Sequence, residues 1–332
     1  MRYFSTLLVL LIVNSCGTNT KPDNLKEVPL ELLESFNSIE DSIFFASTSD
    51  IEVFDNRYYL SDYKQNIVYS FSNEWNNVIV IGSEGQGPGD FRGPTNIEIT
   101  NDYISIMDEY SRTLKLFSKD HSFIKSVKLP YSVSPDTEFT SNNNTFFQYS
   151  KRYELITHFD TNGQILSSYG NFEKDTKGRY NSQTNSWHTT IEAGKLFVIN
   201  KCEPLILTYD LQTKELNGSY DLGKMTILKD KLSYVTNEIE KDPYARKSYI
   251  LFSDVLIEGN FIYLLFTNYD QVSSLAFSNQ ILKVSLTEAN SFQINGIYGL
   301  DKNGWYESFT IDNDKLITFN EFSSSVEIYK LK

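Results

Sequence analysis

Two carboxylates, Asp62 and Asp108, each close an apolar run, and Asn200 and Asn320 close similar runs further along the chain. Oxygen donors of this kind suit a hard cation such as calcium, so a divalent-cation site built from these four is one expectation. The competing expectation is structural: a carboxylate or amide in that position ties down the following loop by accepting its backbone N–H groups. Asp90, Arg92 and Arg112 stand close by in sequence, and Arg112 is expected to pair with Asp108 or Asp90. Arg179, Trp187, His188, Tyr244 and Arg246 fall in or beside long irregular stretches and complete the candidate ligand-binding set. There are three histidines; His121 is placed in a hairpin and His158 inside a strand, which leaves His188 alone on the candidate face. A three-histidine zinc site is therefore not expected. No G-x-S-x-G elbow is present and no Ser/His/Asp set can be assembled, so no catalytic residue is assigned.

The elements that position these groups follow from composition and periodicity. The chain has 332 residues, of which 40% are hydrophobic and 14% aromatic, with 22 Tyr and 23 Phe against 8 Pro, which favours a folded, strand-rich protein. A net charge of −13 argues against binding to nucleic acid or to an anionic lipid surface. Two cysteines are too few for a disulfide framework.

The N-terminus reads as an address. Arg2 precedes an apolar run from Leu7 to Val13 that is too short to cross a bilayer of about 30 Å, but suits the core of a secretory signal. Val13-Asn14-Ser15-Cys16 resembles a bacterial lipobox, with Asn14 departing from the usual small residue. That resemblance implies a signal peptide over 1–15, lipidation of Cys16, a tether over 16–38 and a domain over 39–332. Cys202 then has no partner, and the chain meets the membrane through its lipid anchor.

A repeat runs through the remainder. In YYLSDYKQNIVYSFS, ISIMDEYSRTLKLFS, FFQYSKRYELITHFD, LFVINKCEPLILTYD and LITFNEFSSSVEIYK, a strand ends in Asp62, Asp108, Ser150, Asn200 or Asn320. An aliphatic residue stands six positions later and an aromatic three beyond that, at Phe71, Phe117, Phe159, Tyr209 and Tyr329. A sixth copy keeps Asn268, Ile281 and Val284 around an insertion at about 269–279. With one strand before and one after each pair, each copy is a four-stranded blade of a β-propeller. The fold expected is all-β: a six-bladed propeller of four-stranded antiparallel blades, with the last blade closed by an N-terminal strand, placed at 42–46. The 222–252 insertion adds a helix over Ile227 to Lys241, either covering the barrel end or forming a lid.

The loop GSEGQGPGDFRGP, from Gly82 to Pro94, followed by Asp108 and Arg112, resembles the NHL repeat. More narrowly, the chain is similar to six-bladed propeller lipoproteins of the Bacteroidetes, which implies a lipid-anchored cell-envelope protein, on the outer membrane. The loop lacks the helix or Lys-Ser/Thr of a phosphate cradle; its glycines are expected to adopt positive φ, and Phe91 to plug the gap between blades. Loops between strands two and three share a face with the loops between blades, so Asp62, Asp108 and the insertions at 171–187 and 222–252 gather on one rim. A rigid scaffold with its irregular loops on one face suggests binding. The expected function is a monomeric, non-catalytic binding module for an envelope protein or glycan, with no cofactor. The alternative is a propeller hydrolase or lyase that uses a divalent cation such as calcium.

Overall fold

The computed structural model describes residues 25–39, 43–131, 137–149, 154–171, 186–241, 250–270, 275–287 and 290–331. Six antiparallel sheets follow one another around an axis, each running from an inner to an outer strand. Blade one is Thr48–Phe54, Arg57–Asp62, Ile67–Ser72 and Ile79–Ile81; blade two is Pro94–Ile99, Ile104–Asp108, Thr113–Phe117 and Phe123–Lys128. Blade three begins at Phe139–Asn142, blade four at Trp187–Glu192, blade five at Phe252–Glu258 and blade six at Tyr306–Asp312.

The burial of each strand explains its composition. A second strand is sandwiched between neighbouring blades and is buried on both faces, so Ile104–Asp108 is buried throughout and reads as a continuous apolar run. An outer strand faces solvent on one side, and Phe123–Lys128 alternates accordingly. Between blades one and two the core comprises Val68, Ile81, Phe91, Ile97, Ile104, Ile106 and Phe117. Phe91 is fully buried there, as the plug expected of it, and such burial contributes about 1.5–3 kcal/mol.

An N-terminal strand closes the last blade, but it is not the expected segment. Glu31–Phe36 pairs antiparallel with Ser325–Lys330, matching Glu31 to Lys330 and Phe36 to Val326. Ile43–Phe44 instead pairs with Ser38–Ile39. Phe45 is buried edge-on against Phe71 and Phe319, wedged between the first and last blades. The reason is reach. An outer strand lies about 14 Å from its inner strand, three spacings of 4.7–4.9 Å. Residues 45–47 are too few to return from there to Thr48, whereas 37–47 suffice. Part of the expected tether is thus built into the fold, and Val28–Pro29 adds a parallel strand to the outer edge of blade five.

The insertion in blade five is also more regular than expected. Its second and third strands lengthen to Phe261–Asp270 and Leu275–Thr287, and pairing persists as far as Asp270 with Leu275. The expected helix spans Thr226–Lys241, after a 3-10 turn at Leu222–Lys224 in which Asp221 accepts from Gly223 N at 2.8 Å. Leu222, Met225 and Leu228 pack against Ile199, Ile206, Phe252 and Phe266, which seats the helix over the junction of blades four and five.

Candidate functional site

The rim carboxylates hold loops. Asp62 is fully buried and accepts from Ala46 N at 2.7 Å, Gln65 N at 3.0 Å and Gln65 Nε2 at 2.8 Å. Asp108 accepts from Arg92 N at 3.2 Å and Ser111 Oγ at 2.7 Å. Asn200 accepts from Cys202 N and Glu203 N, and Asn320 from Phe322 N. Each group is therefore committed to holding its own hairpin, and the two aspartates also hold the segment that enters their blade. The cation beside Asp108 is Lys115, at 3.3 Å, rather than Arg112, which sits exposed in a turn with φ of 56°.

Asp90 accepts from Ser83 Oγ and Gly87 N, which hold its carboxyl below the usual range. Its carboxylate fills the space that a Cβ at Gly85 or Gly87 would need. Those two glycines are required by close approach; of the loop, only Gly82 adopts the expected positive φ, at 70°. Arg92 is exposed, Trp187 is buried among Phe147, Tyr149 and Leu196, and Cys16, Arg179, Tyr244 and Arg246 lie outside the described residues.

Around the axis the inner strands carry a second polar set that bridges blade to blade. Asp50 of blade one accepts from Ile97 N of blade two at 2.7 Å. Asn96 accepts from Phe139 N of blade three at 3.1 Å. Glu138, just before blade three, contacts His188 Nδ1 of blade four, and His188 Nε2 lies 3.4 Å from Phe252 O of blade five. Asp254 accepts from Phe309 N of blade six at 2.8 Å, and Ser308 Oγ accepts from Ile51 N at 3.2 Å, returning to blade one. Every junction is latched by a polar side chain at the axis. Of the expected candidates, only His188 belongs to this ring.

Inside the ring is a cavity of about 490 Å³ that extends to the rim. Asp50, Glu52, Glu98, Glu138, Asp254 and Glu307 line its wall, and Tyr63 and Trp305 come from rim loops. Lys201 enters from blade four, and Lys231 and Tyr234 from the helix, so the insertion lines the channel as well as covering a blade junction. Lys201 Nζ donates to Glu138 Oε1 at 2.9 Å.

The acids respond to these surroundings in opposite ways. Burial, reinforced by Asp254, pushes Asp50 up to about 8 despite its hydrogen bonds. Burial pushes Glu98 up to about 7, although Ser141 and Thr140 donate to it. Glu52 is raised by burial and then by Asp50, Glu98 and Asp254; Asp254 is raised by burial, against the opposing charge of His188 and with a smaller push from Glu138. Burial would raise Glu138 too, but His188 and Lys201 outweigh it and hold the carboxyl at about 2. Burial pushes Lys231 down to about 8. Among the described residues, no three His, Cys, Asp or Glu are grouped closely enough to hold a metal ion.

The axial acids were missed by sequence reasoning, yet their positions carry a register. Asp50, Asn96, Glu138, His188 and Ser308 each stand 21 residues before their blade's closing aromatic, at Phe71, Phe117, Phe159, Tyr209 and Tyr329.

Residues 38–194 match the model of a family described as a 6-bladed beta-propeller. A search of curated proteins found no match. Among solved structures, an exported protein of Bacteroides fragilis superposes with a TM-score of 0.60 at 15% identity, covering 93% of this chain and 97% of that one. Virginiamycin B lyase from Staphylococcus aureus gives 0.55 at 12% identity, covering 92% and 100%. A streptogramin B lyase gives 0.52 at 13% identity, covering 90% and 97%.

Proposed function

We propose that this six-bladed propeller, which has an exported protein of Bacteroides fragilis among its structural neighbours, is a lipid-anchored cell-envelope protein held at the outer membrane through Cys16. Its propeller would act as a non-catalytic receptor that admits an envelope glycan or protein segment to the axial cavity. The observation that carries this reading is the commitment of the polar groups. Rim oxygens hold loops and axial ones latch blades, around a cavity of a size that suits a small ligand. The leader supports the address, through the Leu7–Val13 run and the Val13–Cys16 signature.

The rival reading is a lyase, the activity for which two structural neighbours are named and whose likeness to this chain lies in the fold. One experiment separates them. Full-length protein in detergent is incubated with envelope glycan fragments and with envelope-derived peptides, with and without Ca²⁺, and the bound and free fractions are analysed by mass spectrometry. Retention of an unaltered fragment or peptide supports the receptor; conversion of either to a new product overturns it. The address is tested by Cys16→Ala, which is expected to release the protein from membranes; unchanged membrane fractionation would reject the anchor.

A further inference from the structure

The large hydrophobic side chains left exposed among the described residues divide by place. The aliphatic ones stand on outer strands, as Val80, Ile124 and Leu216 do, or just before one at Leu25. The aromatic ones are Phe44, Tyr110 and Phe322, exposed by 59%, 57% and 67%, and all three are on the rim. Single aliphatic side chains scattered over a surface are ordinary, whereas rings collected on one edge mark a contact.

Hydrogen bonds tie the loops of these rings into one surface across blades six, one and two. Phe322 follows Glu321, which accepts from Ser47 Oγ at 3.0 Å and Thr48 N at 2.9 Å and donates its own N–H to Trp305 O at 2.9 Å. Tyr63 donates its N–H to Ser47 O at 3.0 Å, and its hydroxyl lies 3.0 Å from that of Tyr110. Phe44 O accepts from Gln65 Nε2, in the loop that Asp62 holds. The rings are thus fixed in place by the rim latches, which lowers the ordering cost of using them in a contact. The helix Thr226–Lys241 takes up the other side of the opening, over blades four and five.

Chemistry narrows the occupant. The repeated polar groups of the rim, Asp62, Asp108, Asn200 and Asn320, are spent on their own hairpins, which disfavours a sugar whose hydroxyls each need a partner. Trp305 and Tyr63 share the cavity lining with six carboxylates, Glu307 and Asp50 among them, against Lys201 and Lys231. A net charge of −13 opposes a second copy or an anionic lipid surface at such a mouth. The bases of the patch itself are Lys64, whose Nζ is 3.5 Å from Ala46 O, and Arg92 and Arg112 at its blade-two end. A partner's basic side chain therefore belongs at the axial end, where acids and ring faces both attract it.

We propose that the rim over blades six, one and two is a docking surface for a protein segment. Its apolar side chains seat on Phe44, Tyr110 and Phe322, and its lysine or arginine reaches the acidic mouth beside Trp305. This rests on the receptor reading above and chooses a protein segment over a glycan as what is received. Aromatic residues are the type enriched at protein interfaces, and here they are already rigid.

The test is selection of a displayed library of random twelve-residue peptides on the full-length protein in detergent near pH 7, followed by fluorescence titration of the most enriched peptides. Enriched sequences are expected to combine lysine or arginine with leucine, isoleucine or an aromatic residue. Phe44→Ser and Phe322→Ser together are expected to weaken those peptides at least tenfold with Tm unlowered, since both side chains are exposed. Replacing the basic residue of a peptide by alanine is expected to weaken it at least threefold. Enrichment no greater than on a blank surface, equal affinity for the double variant, or acidic enriched sequences overturn the inference. Self-association of the wild-type protein that the double variant abolishes also overturns it, assigning the rings to a second copy. In each of these cases, retention of an unaltered envelope glycan by both proteins leaves the receptor reading intact, whereas conversion of a glycan or peptide into product overturns that reading instead.

Discussion

The rim and the axis both contain buried aspartates, on neighbouring strands of the same blade, and they do different things. In blade one, Asp62 ends the second strand and Asp50 lies on the inner strand that pairs with it. Asp62 receives three hydrogen bonds from Ala46 and Gln65, close by in the same region of chain. Asp50 receives its donors from Ile97 and Asn96 of the next blade and from Ser308 of the last. A rim acid is a local device that ties its own hairpin to the segment entering the same blade; an axial acid joins separate blades and shares its space with further acids. The difference teaches that burial alone does not mark a functional carboxylate. The mark is the balance between the negative charge assembled and the partners provided.

The largest expected effect separates the one compensated axial acid from the rest. Glu138→Ala leaves Lys201 and His188 without their common carboxylate, and breaking a buried ion pair from one side costs about 3–5 kcal/mol. Denaturant unfolding should show a loss of that size; a loss below about 1 kcal/mol would mean that the triad contributes little to joining blades three and four. Next comes the rim. Asp62→Ala removes a fully buried acceptor from two backbone N–H groups and a side-chain amide, with an expected loss of about 2–3 kcal/mol. Asp50→Asn, which removes a charge opposed by its neighbours, should cost far less at neutral pH. Equal losses at both sites would erase the distinction between rim and axis.

The fold was legible because its signal repeats by residue type. Small polar ends and closing aromatics recur in register, and Phe91 after the Gly-rich loop could be assigned to a blade junction. The closing strand was not legible, since Glu31–Phe36 is an outer strand whose residues are almost all exposed. Its apolarity carries no information, and the apolar 43–45 run, of which only Phe45 is buried, drew the assignment instead. Lys115 replaced Arg112 beside Asp108 because Arg112 occupies the left-handed turn, while Lys115 sits on the strand that follows, paired with the one Asp108 ends. The axial ring was missed for a third reason. Asp50, Asn96, Glu138, His188 and Ser308 share a register but no chemistry, and each is defined by reaching the adjacent blade. Spacing exposes such a set only when residue type is ignored. In blade five the lengthened hairpin breaks even the spacing, placing Asp254 thirty residues before Val284.

A smaller effect appears as pH dependence. Asp50 at about 8 and Glu98 at about 7 both lie above the unfolded carboxylate range near 4, so the native state holds more protons than the unfolded state between those limits. Their contribution is full at low pH and is lost as pH rises from about 4 to about 8. Glu138, held at about 2, contributes in the opposite sense, and its share is lost only as pH falls from about 4 towards 2. Thermal unfolding should therefore give a Tm several degrees higher near pH 5.5 than near pH 8. Asp50→Asn and Glu98→Gln should each flatten that slope, and an unchanged slope in both variants would remove the axial acids as its cause.

The smallest effect tests the neutral latch that closes the ring. Ser308 Oγ accepts from Ile51 N at 3.2 Å and lies 3.1 Å from Asp50 Oδ1, to which it donates. Ser308→Ala removes both bonds with little change in volume, so the expected loss is about 1 kcal/mol. The two bonds differ in their response to pH. The backbone N–H loses its acceptor at any pH, whereas the hydroxyl favours the ionised form of Asp50, and hydrogen bonds to charged groups are the stronger ones. Loss of that donor raises Asp50 further, so the variant should be more destabilised near pH 8 than near pH 5.5, by a few tenths of a kcal/mol. An equal loss at both pH values would show that the hydroxyl serves only the backbone of blade one. Asp50 would then depend on Ile97 and Asn96 for its donors, and the closing latch would be independent of the charge around the axis.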